Sequence, residues 1–89
     1  MFEKNIPCIL IRVENRDIHT KQFPSFHLAQ IQMVEEMIKM TDIPNDKFEN
    51  WDGQHMLESG NGRYAFWSDG GYFHDGNKQL DWQIVEIEP

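Results

Sequence analysis

The chain has 89 residues, with 8 Lys+Arg against 15 Asp+Glu, for a net charge of −7. A chain this short has room for one hydrophobic core and no deep catalytic cavity, which excludes a second domain. Apolar residues make up 39% and there are eleven aromatics (3 Trp, 2 Tyr, 6 Phe), enough to exclude a disordered or coiled-coil chain. The sequence is read as a single soluble α+β domain over residues 1–89.

The first predicted strand is Pro7–Glu14, where Ile9, Ile11 and Val13 alternate with Leu10, Arg12 and Glu14. Ile11 is read as core. Asn15 to Pro24 is polar and is read as a connection leading to a helix capped by Ser25. The helix is predicted over Phe26–Met40. At 100° per residue His27, Ile31, Val34 and Ile38 fall on one strip and Phe26, Met33, Met37 and Met40 on the next, so the apolar arc spans about half the circumference. That arc is read as core, Val34 included, although part of it could serve a partner or a homodimer. Thr41-Asp42-Ile43-Pro44 stops the helix, because a residue before proline is driven out of helical geometry.

Beyond Asn45 the chain turns acidic, aromatic and glycine-rich. Residues 46–50 are predicted to make one helical turn. Gly60-Asn61-Gly62, Asp69-Gly70-Gly71 and Asp75-Gly76-Asn77 read as turns separating strands at Gln54–Glu58, Arg63–Trp67, Tyr72–His74 and Leu80–Glu88. The expected architecture is therefore two layers, one helix packed on an antiparallel sheet, in the order β-α-β-β-β-β. Phe66, Trp82 and one of Tyr64 or Trp67 are expected to fill the core.

The charge is unevenly placed. Residues 1–39 carry five bases and five acids, while residues 40–89 carry ten acids against Lys47, Arg63 and Lys78. Such a field attracts basic protein surfaces and repels nucleic acid and anionic membranes, so direct nucleic-acid or membrane binding is not expected. Solubility alone is the competing explanation of the same charge. Aromatic residues adjoin several of these acids, the makeup of protein-binding surfaces in which rings anchor and charges steer. The predicted partner-binding residues are Asp46, Glu49, Asp52, Glu58, Trp67, Asp69, Tyr72, Asp75 and Asp81, with the turn carboxylates spaced along one rim of the sheet.

Motifs for chemistry are incomplete. His19, His27, His55 and His74 with Cys8 lack metal-ligand spacing, and no metal or cofactor is assigned. Asp75, Asn77, Gln79, Asp81 and Glu86 follow the spacing of a calcium loop, but Leu80 stands where that loop requires glycine. Ser68-Asp69 with His74, and Ser59 with His55, are the nearest nucleophile and base combinations. Both fall in open turns with nothing to bias a pKa, so no enzyme is expected. The lone Cys8 and the six-residue apolar run Ile6–Ile11, too short for a signal peptide or a membrane span, point to the reducing cytoplasm.

The stretch from Gly62-Arg63-Tyr64-Ala65-Phe66-Trp67 through Asp69-Gly70-Gly71-Tyr72-Phe73-His74-Asp75-Gly76 to Asp81-Trp82-Gln83-Ile84-Val85-Glu86 resembles the closing hairpins of small phage and prophage proteins of unknown function. The resemblance covers the last third of the chain. It implies a phage-encoded accessory protein and carries no site residues. Together with the charge it leads to the expectation of a non-catalytic acidic module, an inhibitor that occupies the basic nucleic-acid-binding surface of a host enzyme or defence complex. An antitoxin or immunity-type partner, or a small ligand-binding or enzymatic domain, is the alternative.

Overall fold

The computed structural model describes residues 6–87. In chain order the elements are β1 (Cys8–Glu14), β2 (Asp17–Phe23), α1 (Phe26–Met40), α2 (Asn45–Glu49), β3 (Leu57–Glu58), β4 (Tyr64–Trp67), β5 (Gly70–Asp75) and β6 (Lys78–Glu86). The six strands form one open antiparallel sheet in the order β2-β1-β6-β5-β4-β3. The α+β class and the main helix agree with the sequence reading. The element order does not: β-β-α-α-β-β-β-β replaces β-α-β-β-β-β, and α1 follows two strands instead of one. The predicted last strand ran to Glu88, which lies outside the described residues, as does the segment Met1–Asn5.

The additional strand is β2, where a polar connection was expected. It pairs along its whole length with β1, Cys8 opposite Phe23 and Glu14 opposite Asp17. Asn15, with φ 57°, supplies the left-handed residue that lets a two-residue turn join them. β2 is an edge strand of which only Phe23, at its end, packs against the core, so it lacks the alternation that marks a half-buried strand.

Helix α1 forms where predicted. Ser25 Oγ accepts from the Leu28 N–H, and at the other end Thr41 donates both its N–H and its hydroxyl to Met37 O. The face it buries is narrower than the expected one. Phe26, Ala29, Met33 and Met37 enter the core, whereas Ile31 and Ile38 remain 43% and 39% exposed, His27 is exposed and Val34 is only half-buried. The methionine strip won because it meets a close-packed floor: a Cβ at Gly71 would lie 2.5 Å from Met37 Cε. Unbranched methionine fits such a confined space.

The same correction applies to β1. Cys8 and Leu10 are buried toward the helix with Trp82, Ile84, Leu80, Phe66 and Phe73, while Ile9, Ile11 and Val13 occupy the opposite face and are half-buried. Helix α2 joins the helical side through Phe48, whose ring stacks on Phe66 at 4.7 Å, and Trp51 meets Phe66 edge-on at 4.9 Å. Both helices thus lie against one face of the sheet, the helix face. The other is the open face.

One turn and one strand prediction also shift. Gly70 and Gly71 lie inside β5, and the turn before them is Ser68-Asp69. The predicted strand Gln54–Glu58 shrinks to two residues, because Asp52 accepts the backbone N–H groups of Gln54 and His55 and so withdraws them from pairing.

Candidate binding surface on the open sheet face

In an antiparallel sheet, residues opposite one another project from the same face. Following the register from edge to edge gives one row with a residue from each strand: Glu58 (β3), Ala65 (β4), Tyr72 (β5), Asp81 (β6), Val13 (β1) and Ile18 (β2). A second row, Trp67, Gly70, Gln83, Ile11 and Thr20, runs beside it, and Val85, Ile9 and Gln22 make a third. Among the described elements neither helix covers these rows. The surface is graded: carboxylates and aromatic rings lie over β3 to β6, and aliphatic side chains lie over β1, β2 and the end of β6. Ile18 is 69% exposed and Val85 40%.

The aromatic part is held in place by its neighbours. A Cβ at Gly70 would stand 3.0 Å from Trp67 Nε1, so the indole lies against the bare backbone of its cross-strand partner and buries it. Tyr72 follows at 6.4 Å from the Trp67 ring, and His74 at 5.0 Å from Tyr72. The His74 ring in turn reaches the Asp81 carboxylate at 3.3 Å. Trp67, Tyr72, His74 and Asp81 therefore form one contiguous group. His74 was absent from the predicted set, and its strand-alternate spacing from Tyr72 is the signal that could have placed it there.

The other predicted residues are dispersed. Asp46 and Glu49 lie on α2, behind the sheet. Asp69 and Asp75 mark opposite ends of the six-residue β5, about 17 Å of strand apart, so the turn carboxylates do not share one rim. Asp75 projects from the helix face, where Arg63 bridges it (3.2 Å) to Asp42 (3.1 Å). Arg63 is raised above its ordinary pKa, by Asp42 first and then by Asp75. Asp52 contacts the His55 ring, and its carboxyl is held well below the usual range by the His55 and Gln54 backbone N–H groups and then by that ring. Among the described residues Asp46, Glu49, Glu58 and Asp69 form no ion pair.

The calcium-loop spacing does not converge. Asp75 and Asp81 sit on opposite faces of the β5–β6 hairpin, and no group of three metal-ligating side chains occurs among the described residues. The nucleophile and base candidates are engaged elsewhere or lie apart. His55 turns to Asp52, Ser59 Oγ is engaged with the Tyr64 backbone, and His74 lies at the end of β5 remote from Ser68.

Behind the sheet, one polar network fixes the helix. The Glu36 carboxylate accepts from Arg12 Nη1 (2.9 Å), Trp82 Nε1 (3.1 Å) and Gln32 Nε2 (3.0 Å). Burial works to raise the Glu36 pKa, but the three donors outweigh it and the net shift is downward. Gln30 Nε2 also donates to Gly53 O (3.0 Å) and Ser68 O (2.8 Å), tying the loop after α2 and the β4–β5 turn to α1. No family model, curated protein or solved structure matches the chain. No helix among the described residues is long and apolar enough to cross a membrane.

Proposed function

We propose that this protein is a non-catalytic binding module that docks its open sheet face on a basic surface of another protein, of the kind a nucleic-acid-binding enzyme uses to hold phosphates. The observation that carries the reading is the six-strand row from Glu58 to Ile18, an aromatic and aliphatic surface interrupted by carboxylates and left uncovered by the described helices. Trp67 and Tyr72 are already packed against neighbours, so they lose little side-chain freedom on binding and act as anchors. Asp81 and Glu58 beside them, within an overall charge of −7, select for a cationic partner and speed encounter.

The test compares proteins captured by the immobilised wild-type chain with those captured by a Tyr72→Lys/Asp81→Lys variant and by an Asp46→Asn/Glu49→Gln control, each confirmed folded by circular dichroism. Basic proteins retained by the wild type and the control, released by salt and absent from the open-face variant, are the expected result. The same set on all three preparations refutes the reading.

A further inference from the structure

Strand β2 is one border of the sheet, seven residues long and exposed along six of them, whereas the other border, β3, has two residues. Its hydrogen-bonding parity follows from the ladder. Asn15 N–H donates to Gln79 O (2.7 Å) and Ile87 N–H to Pro7 O (2.8 Å). Such bonds recur at every second residue of an antiparallel pair, so the odd-numbered positions of β1 bond to β6. The even-numbered Cys8, Leu10, Arg12 and Glu14 are left to bond their β2 partners Phe23, Lys21, His19 and Asp17. Ile18, Thr20 and Gln22 therefore direct their N–H and C=O groups away from the sheet. The β1–β2 register is continuous, without a bulge, and β2 contains no proline, so of the usual devices that blunt a long edge it carries only charge, Asp17 and Lys21, and these are of opposite sign.

This edge is complementary to itself. Laid antiparallel on a second copy about a two-fold axis at His19, Asp17 stands opposite Lys21 of the second copy, and Lys21 opposite its Asp17. Ile18 stands opposite Thr20 on the open face. In this register Ile18 and Thr20, whose backbone groups point outward, become the hydrogen-bonded pairs, and the two symmetric pairs close four N–H···O=C bonds. The long-range field agrees. The β1–β2 hairpin carries Arg12, Arg16 and Lys21 against Glu14 and Asp17, a net +1, in a chain whose excess acids all lie beyond residue 39. Two copies meeting at β2 bring together the least acidic part of each.

We propose that the protein forms a two-fold dimer by antiparallel β2–β2 pairing, giving a twelve-stranded sheet with one continuous open face. The dimer needs no partner other than a second copy and stands independently of the open-face reading.

Sedimentation over a dilution series is the test, with the wild type expected at twice the 10.6 kDa chain mass. Thr20→Pro removes an outward N–H that bonds nothing in β1, so it should leave the circular dichroism unchanged and abolish the dimer. Asp17→Lys, which sets a lysine opposite Lys21 of the second copy, should also yield monomer, and Asp17→Lys/Lys21→Asp should restore the dimer. His19→Cys should oxidise to a cross-linked dimer, because a non-hydrogen-bonded antiparallel pair brings Cα atoms within disulfide range, while Cys8 is buried and cannot compete. A wild-type monomer throughout the series, or a dimer that survives both Thr20→Pro and Asp17→Lys, overturns the proposal. A monomeric Asp17→Lys variant, altered on the helix side of β2, keeps every residue of the open face, so failure of dimerisation and failure of open-face binding are read separately.

Discussion

Replacing Arg12 with leucine tests how α1 is held to the sheet. The Arg12 and Glu36 side chains are 19% and 15% exposed, so neither charge is well solvated. Arg12→Leu removes one of the three donors to Glu36 and its only cationic partner among the described residues. A charge-assisted hydrogen bond of this kind is worth about 1.5–3 kcal/mol, and breaking a buried pair costs about 3–5 kcal/mol. Two features reduce that figure. Gln32 and Trp82 still satisfy the carboxylate, and Arg12 Nε, which is buried without an acceptor among the described residues, is removed along with its desolvation cost of about 1 kcal/mol. The expected net loss is about 2 kcal/mol, a fall in melting temperature of about 10 °C for a chain of this size. Urea denaturation of Arg12→Leu, Glu36→Leu and the double variant should give a coupling of about 1.5 kcal/mol. Because Glu36 is depressed below its ordinary 4.5 in the folded state, the stabilisation it provides is complete above that pH and is lost as the pH falls through the lower folded-state value. The cost of Arg12→Leu should shrink in parallel. Additive single-variant effects, within about 0.5 kcal/mol, would show that the ion pair does not hold the helix.

The narrower buried helix face makes a second, opposed pair of expectations: Met37→Asp should abolish the folded circular dichroism spectrum, since an unpaired buried carboxylate costs several kcal/mol against a total of about 5. Val34→Asp, at a half-buried position on the outer strip, should leave the domain folded, and an unfolded Val34→Asp would return that strip to the core. Asp52 should titrate by NMR well below ordinary aspartates, and His55→Ala should raise its pKa only part of the way, because the two backbone N–H donors rank above the imidazole. A full return to the ordinary value in that variant would contradict the loop geometry.

Much of the fold was legible in the sequence, since local rules decide it. Ser25 at the cap, the 3.6-residue periodicity and Pro44 after the stop are enough to bound α1, and Gly60, Gly62 and Gly76 announce two of the three turns of the meander. The net charge and its concentration beyond residue 39 are likewise properties of the chain alone. Tertiary structure decided which of two apolar strips on α1 and which side of β1 would be buried. Both alternatives satisfy the same periodicity and spacing alone does not separate them; in the fold Met37 lies over Gly71, where there is no room for a Cβ. It also decided that β2 is a strand, because an edge that buries only its terminal Phe23 leaves no alternating hydrophobic pattern to read, and its order comes from backbone pairing with β1. The binding face has the same origin: Glu58, Tyr72, Asp81, Val13 and Ile18 are scattered along the chain, and it is the cross-strand register, fixed by hydrogen bonds between distant segments, that places them in one row.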